Sequence, residues 1–140
     1  MERRDFLNKC GTLCAVGIGG AMLVNLAACK SPEFTASAMD GNRIKVMKSD
    51  FPAEKSFIVV KNPTGDAPIY IHRTGENYMA ILLHCTHRGC TVNAGADELK
   101  CPCHGSRYST DGQVIKGPAQ KPLKSYPVDT DQVALYITVV

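Results

Sequence analysis

The stretch Cys85-Thr86-His87-Arg88-Gly89-Cys90 and its counterpart Cys101-Pro102-Cys103-His104-Gly105-Ser106 decide how this chain is interpreted. Each hexapeptide holds a cysteine and a histidine close enough in sequence for one loop to present both side chains to a single metal centre. The four candidate ligands are Cys85, His87, Cys101 and His104. Because thiolates and imidazoles serve both zinc and iron sites, the residues alone predict a metal centre and leave its metal open.

At these two motifs the sequence resembles the Rieske [2Fe-2S] family, and the resemblance extends from about Ile44 to the C-terminus. In that family two such loops hold the cluster, with two cysteines on one iron and two histidines on the other. The resemblance implies that Cys85, His87, Cys101 and His104 are the cluster ligands. It also implies one-electron transfer as the activity.

Other residues near the motifs acquire roles through the same resemblance. Cys90 and Cys103 resemble the disulfide that joins the two cluster loops in high-potential members. Ser106 and Tyr108 supply hydroxyls where the family uses them to bond a cluster sulfide and a ligand sulfur. Gly117-Pro118 begins a segment that resembles the proline loop, which covers the cluster from a third side.

The mixed ligand set has a chemical consequence for a cluster. Neutral imidazoles add no negative charge, so the reduced state is less disfavoured and the potential rises to roughly −150 to +300 mV, against about −400 mV for all-cysteine plant-type clusters. Reduction also strengthens proton binding at the free imidazole nitrogens, which couples an electron to a proton. A structural zinc site with two cysteines and two histidines is the alternative.

One residue departs from the pattern of the quinol-oxidising family members, which commonly carry leucine at the position of Arg88. Arg88, with Arg107 on the other loop, predicts a cationic rim around the metal centre. Such a rim makes burial in an apolar quinone pocket costly and favours docking to an acidic partner surface. The main expectation is therefore electron exchange with a redox partner such as a c-type cytochrome or a larger oxidoreductase subunit. The alternative is that the protein is the Rieske subunit of a cytochrome bc-type quinol oxidase complex.

The N-terminus carries targeting signals. Arg3-Arg4 precedes Phe6-Leu7 and resembles a twin-arginine export signal, and no charge occurs from Cys10 to Ala28. Leu26-Ala27-Ala28 before Cys29 looks like a lipobox. Residues 1–28 are therefore predicted to be a leader with an apolar helix, either cleaved with acylation of Cys29 or retained as an anchor. Both outcomes place the protein on a membrane, facing the periplasm or the outer side of the cytoplasmic membrane.

Residues 29–42 change to a polar composition without periodicity and are predicted to be a flexible tether. The thirteen residues from Lys30 to Asn42, fully extended, reach at most about 45 Å. Residues 43–140 are predicted to form the Rieske domain.

The remaining sequence predicts an all-β fold, an antiparallel sandwich or open barrel with a small cluster-binding lobe. Short apolar runs are separated by turn residues, and no amphipathic helix follows the leader. Expected strands include 67–72 and 78–83, joined by a four-residue loop at 74–77, and a final hairpin of 123–128 with 133–139.

Composition excludes some function classes. The formal net charge of +3 is too small and too dispersed for a nucleic-acid surface. A Rieske oxygenase needs a separate mononuclear iron site, and the two remaining histidines, His72 and His84, do not stand with a carboxylate in a plausible facial triad. Electron transfer, with catalysis only as part of a larger oxidoreductase, is the main prediction.

Overall fold

The computed structural model describes residues 33–65 and 67–140, and in this part of the chain the fold is all-β. Eleven strands and one short 3₁₀ turn, Lys48–Asp50, are present there. The strands are β1 (Ala38–Asp40), β2 (Arg43–Met47), β3 (Phe57–Val60), β4 (Ile69–Thr74), β5 (Asn77–Leu82), β6 (Glu98–Lys100), β7 (Arg107–Ser109), β8 (Val114–Lys116), β9 (Ser125–Tyr126), β10 (Val128–Thr130) and β11 (Ala134–Thr138). The predicted fold class is confirmed.

Three antiparallel sheets organise these strands. Sheet A has the order β1-β2-β11-β10, sheet B has the order β3-β4-β5-β9, and the small sheet of the lobe has the order β6-β7-β8. The lobe sheet is inserted in sequence between β5 and β9, which are neighbours in sheet B. The chain therefore enters the lobe from β5 and returns from it to β9, so both ends of the lobe are attached to sheet B.

Sheet B is covered on both faces, as its sequence pattern requires. Ile69 and Ile71 of β4 belong to a core shared with sheet A, whereas Tyr70 belongs to a second core shared with the lobe. Successive side chains of a strand point to opposite faces. A strand buried on both faces is therefore apolar at nearly every position, and all three residues are fully buried.

Tyr70 ties sheet B to the lobe. Its hydroxyl donates a hydrogen bond of 3.0 Å to the carbonyl of Gly95. Burial, with a contribution from the Asp97 carboxylate, raises the pKa of Tyr70 to about 12, so the hydroxyl stays a donor throughout the physiological range.

Two strand boundaries differ from the sequence prediction. Thr74 pairs with Asn77, so the β4–β5 hairpin has a two-residue loop, in which Gly75 has a φ of 60°, and the four-residue loop predicted at 74–77 is wrong. The strand predicted at 123–128 is divided: β9 pairs with β5 in sheet B, and β10 pairs with β11 in sheet A. Pro127 lies between them, where its missing N–H ends one ladder before the other begins.

The tether predicted over residues 29–42 is wrong at its C-terminal end. β1 pairs with β2 in register, with Met39 opposite Ile44, and the N–H of Thr35 donates to the carbonyl of Val59 at 2.9 Å. Every residue of β1 is exposed, so the strand lacks the apolar alternation by which sequence patterns reveal a strand.

The leader predictions at residues 1–28, the lipidation of Cys29 and the start of the tether lie outside the described residues. Among residues 33–65 and 67–140, no helix has the length and apolarity needed to cross a membrane.

Candidate metal centre

The two motif loops close by the same backbone hydrogen bonds. In the first loop the N–H of Cys85 donates to the carbonyl of Cys90 at 2.9 Å, and the N–H of Gly89 donates to the carbonyl of Cys85 at 2.8 Å. The second loop repeats this pattern, with Cys101 to Ser106 at 2.8 Å and Gly105 to Cys101 at 3.1 Å. The two motifs therefore form structurally equivalent turns, each beginning with a buried cysteine.

Glycine is required at the same place in both turns. Gly89 and Gly105 each have a φ of 77°, in the left-handed region that side chains with a Cβ rarely adopt. The repeated glycine was visible in the sequence, and the structure gives its reason.

The two cysteines that open the turns face each other. Cys85 and Cys101 are free thiols, each only 2% exposed, and they lie close enough for each to influence the pKa of the other. Burial raises the pKa of the Cys85 thiol, but hydrogen bonds from Tyr108, from the backbone of His87 and Arg88 and from Cys101 outweigh it and lower the pKa overall. Cys85 is therefore the more readily ionised of the two thiols.

Burial raises the pKa of Cys101, and its hydrogen bond to Cys85 raises it further. Two adjacent thiols do not both ionise readily without a cation between them. The backbone N–H groups of Cys103 and His104 favour the Cys101 thiolate, just as those of His87 and Arg88 favour the Cys85 thiolate. The backbone of both turns therefore favours the charged form of the cysteine that opens it.

The two histidines also lie side by side. The ring centroids of His87 and His104 are 4.8 Å apart and their planes are nearly perpendicular. Nδ1 of His87 is the one buried side-chain nitrogen or oxygen among the described residues that has no hydrogen-bond partner. Such an orphaned atom is costly unless it binds something. The donor set of two thiols and two imidazoles therefore fits a [2Fe-2S] cluster of mixed ligation.

Cys90 and Cys103 form a disulfide, as the family resemblance implied. Their sulfurs and that of Cys101 all lie within 4.8 Å of one another. This group of three is not a separate metal site, because a disulfide leaves neither Cys90 nor Cys103 a thiolate. The bridge joins the two turns at the edge of the candidate centre.

The hydroxyl of Tyr108 lies at the Cys85 sulfur, 3.2 Å from Sγ, and Tyr108 is fully buried. It accepts a hydrogen bond from the N–H of Thr86 at 3.3 Å and lies 3.2 Å from Thr86 Oγ1. Burial, together with the bond to Cys85, raises the pKa of Tyr108, which keeps its proton available for donation.

Thr86 is a residue whose role the sequence analysis missed. Its hydroxyl donates to the carbonyl of Lys121 at 2.7 Å, so its single proton is committed to the segment after Pro118. The Tyr108 proton is therefore directed to Cys85 Sγ or to Thr86 Oγ1. No signal in the sequence revealed this, because Lys121 is far along the chain and lies beside Thr86 only after folding.

Ser106 links the second turn to the same segment. It is fully buried, and its Oγ accepts a hydrogen bond of 3.0 Å from the N–H of Ala119. Residues 117–122 are therefore fastened to both turns, through Thr86 on one side and Ser106 on the other. This is the position that the resemblance implied for a proline loop beginning at Gly117-Pro118.

The cationic rim predicted from Arg88 and Arg107 is wrong for Arg107, whose charge is paired. The Arg107 guanidinium pairs with the Glu98 carboxylate, which also pairs with Lys100 at 2.8 Å. Those two cations lower the pKa of Glu98, so it stays ionised and offsets the Arg107 charge. Arg88 is exposed and forms no ion pair within the described ranges. The expected rim therefore reduces to Arg88.

The remaining histidines stay outside the donor set. His84 is exposed and bridges Thr91 through its backbone, and its ring lies near Gly89. His72 stacks on Tyr70 with ring centroids 6.0 Å apart, and burial lowers its pKa.

The fold and this donor set define a class of small [2Fe-2S] electron carriers, and comparison with known proteins places the chain in it. The family model of the Rieske [2Fe-2S] domain matches residues 42–127, more than half of the chain. The protein belongs to the Rieske family, binds a [2Fe-2S] cluster and transfers single electrons through it. This membership decides against a structural zinc module.

Two curated relatives with the same name match nearly the full length of this chain. The chain is 30% identical to the cytochrome b6-f complex iron-sulfur subunit of Chlorobaculum tepidum, over 99% of this chain and 76% of that protein. It is 47% identical to the subunit of the same name from Prochlorococcus marinus MIT 9515, over 98% of this chain and 84% of that protein.

Solved structures agree on the fold. The plasma membrane Rieske protein PetC3 of the cyanobacterium Synechocystis PCC 6803 matches with a TM-score of 0.57 and 27% identity, over 66% of this chain and 95% of that chain. A structure from the oxygenase–ferredoxin complex of carbazole 1,9a-dioxygenase matches with a TM-score of 0.55 and 23% identity, over 71% of this chain and 94% of that chain. The second likeness concerns the fold alone.

Proposed function

We propose that Cys85 and Cys101 bind one iron of the cluster and that His87 and His104 bind the other. The observation that carries this assignment is that two equivalent turns each open with a buried cysteine and bring the rings of His87 and His104 side by side. Among the described residues, Nδ1 of His87 has no hydrogen-bond partner, as expected of a ligand atom. When bound, the cluster supplies the one-electron redox chemistry.

The chain's own residues set the direction from which electrons enter and leave. Cys85 and Cys101 are buried, whereas His104 is exposed and His87 is partly exposed. The histidine side therefore faces a partner, and the cysteine side faces the lobe core. The disulfide and the segment at 117–122 cover the flanks and keep water from the thiolates.

The proposed location is the outer face of the cytoplasmic membrane or the periplasm. Arg3-Arg4 and the uncharged run from Cys10 to Ala28 support export and anchoring, either by acylation of Cys29 or by a retained helix. One relative described above is a plasma membrane protein.

Within that setting the protein acts as the Rieske subunit of a membrane oxidoreductase of the cytochrome bc type. The names of the two curated relatives support this assignment. Co-purification of the tagged full-length chain from membranes tests it: a cytochrome b-like subunit in the purified complex supports it, and its absence from an intact, cluster-bearing complex contradicts it.

Arg88 favours a second candidate, service to an acidic redox partner such as a c-type cytochrome or another oxidoreductase subunit. Arg88 is exposed, follows His87 directly in sequence and forms no ion pair with any described residue, so it steers a negatively charged surface to the electron-exchange side. The two candidates are compatible if the acidic partner accepts electrons from the subunit.

Replacing Arg88 with leucine is expected to slow electron transfer to an acidic c-type cytochrome by about tenfold at low salt and to weaken its salt dependence. Stopped-flow reduction of the cytochrome at several ionic strengths measures this. Arg43→Leu is the matched control, because Arg43 lies on β2 of sheet A and pairs with Asp40. Equal rates for the Arg88 and Arg43 variants would show that Arg88 does not guide docking.

Tyr108→Phe is expected to lower the cluster midpoint potential by about 40 mV with the cluster intact. A hydrogen bond to a ligand sulfur is stronger in the more negative reduced state, and a difference of about 1 kcal/mol corresponds to that shift. Protein-film voltammetry gives the value. Tyr126→Phe serves as the control, since Tyr126 lies in the core shared by sheets A and B; a shift in this control equal to that of Tyr108→Phe would refute the assignment.

Ser106→Ala is expected to lower the potential by a similar amount, about 40 mV, because the Ser106 proton remains free to bond a cluster sulfide. The variant also leaves the Ala119 N–H without its acceptor and costs stability. Ser109→Ala separates the two effects: Ser109 supports the turn at Asp111 and Gln113, so its loss lowers stability without moving the potential. An unmoved potential in Ser106→Ala removes Ser106 from the tuning residues.

A further inference from the structure

One exposed surface has no part in the metal centre. It consists of Phe34, Met39, Lys61 and Pro63, and is called here the Phe34 surface. Phe34 is 36% exposed and Met39 is 46% exposed, values high for large apolar side chains. Lys61 and Pro63 are exposed as well.

These residues are contiguous around Lys61. The Lys61 ammonium lies 5.7 Å from the centroid of the Phe34 ring. Two shallow clefts share Lys61: one also contains Phe34 and Pro68, and the other also contains Met39 and Pro63. Apolar side chains around a cation form the composition that suits the boundary between lipid headgroups and acyl chains.

Lys61 is the cation of this surface. Lys61 forms no ion pair within the described part of the chain, whereas the nearby Glu33 carboxylate is 3.6 Å from the Lys55 ammonium and is offset by it. Lysine at a membrane surface is attracted by anionic headgroups.

The short segment between Cys29 and Thr35 limits how far the Phe34 surface can lie from the proposed membrane attachment. The hydrogen bond from Thr35 to Val59 fastens the chain to sheet B, so the link back to Cys29 has six residue steps and spans at most about 20 Å. This is less than half of the reach expected for the tether predicted over residues 29–42. Whichever fate the leader has, the proposed membrane attachment ends within that distance of Phe34.

We propose that the Phe34 surface lies against the lipid headgroups of the membrane. This inference rests on the membrane anchoring proposed above. The short link brings the surface to the bilayer, and Phe34, Met39 and Lys61 supply the apolar and cationic contacts.

The absence of tryptophan from the chain gives a clean test. Full-length, cluster-bearing protein with Phe34→Trp is reconstituted in vesicles of phosphatidylcholine and phosphatidylglycerol, with and without brominated acyl chains. Bromolipids are expected to quench the new tryptophan by roughly half, because an interfacial side chain lies about 5–10 Å into the headgroup region. Adding Lys61→Ala is expected to reduce the quenching, whereas adding Lys116→Ala, which removes an exposed lysine of the lobe strand β8, leaves it unchanged.

The matched reporter is Val133→Trp. Val133 is 57% exposed, and its carbonyl accepts from the N–H of Lys48, at the end of the β2–β11 pair opposite to Ile44 and Met39. Its tryptophan is expected to remain unquenched by bromolipids. Equal quenching of the two reporters, or none in either, overturns the proposal.

The same sample separates this proposal from the proposed function. Protein that floats with the vesicles but shows no quenching at position 34 overturns the surface contact alone. Protein that does not float overturns both the anchoring and the contact. The electron paramagnetic resonance signal of the reduced cluster reports the electron-transfer site independently of either result.

Discussion

Replacing Cys90 with serine is expected to cost the domain about 3 kcal/mol of stability and to release or loosen the cluster. The Cys90–Cys103 bridge closes a loop with a sequence separation of 13, and loops near that length give about this stabilisation. Without the bridge the two turns lose their covalent link and are held together by the cluster, by residues 117–122 and by the hydrogen bonds of Tyr108 to Cys85 and Thr86. Iron content and thermal loss of the visible absorbance measure the effect.

The double variant Cys90→Ser, Cys103→Ser is the control that isolates the bridge. In the single variant the freed Cys103 thiol remains within 4.8 Å of Cys101 and competes for iron, whereas the double variant has no such competitor. The double variant is therefore expected to keep at least as much cluster as the single one. Full occupancy and unchanged stability in the double variant would contradict a structural role for the disulfide.

Replacing His87 with glutamine is expected to abolish the cluster, or to leave an unstable remnant with altered spectra. His87 supplies a buried Nδ1 that has no hydrogen-bond partner among the described residues, and glutamine lacks a nitrogen ligand of comparable basicity. Iron analysis and the paramagnetic resonance spectrum of the reduced protein detect the loss.

His84→Gln provides the matched comparison, because His84 lies one residue before Cys85 but is exposed and outside the donor set. It is expected to bind a full cluster at an unchanged potential. Loss of the cluster to the same degree in both variants would mean that replacing His87 disrupts folding, and it would remove the evidence that His87 is a ligand.

The sequence predicted best those features that local chemistry controls. The paired loops of the metal centre and the all-β class follow from residues close together in the chain. The disulfide came from the family resemblance, because the sequence itself gives no distance between Cys90 and Cys103.

Features that depend on distant residues were missed or misjudged. The Thr86–Lys121 contact and the Glu98–Arg107 pair bring together residues whose proximity no local pattern indicates. β1 was missed because all of its residues are exposed. These contacts change the functional interpretation, since they leave Arg88 as the rim cation and shorten the link to the leader.

Protein-film voltammetry of the purified, cluster-bearing protein between pH 6 and pH 10 tests the central claim most directly. Mixed cysteine and histidine ligation predicts a one-electron couple between roughly −150 and +300 mV. Since reduction strengthens proton binding at the ligand histidines, the potential should fall at alkaline pH by up to about 60 mV per pH unit for each coupled proton. A pH-independent couple near about −400 mV, as in all-cysteine plant-type clusters, or no couple at all, would contradict the account.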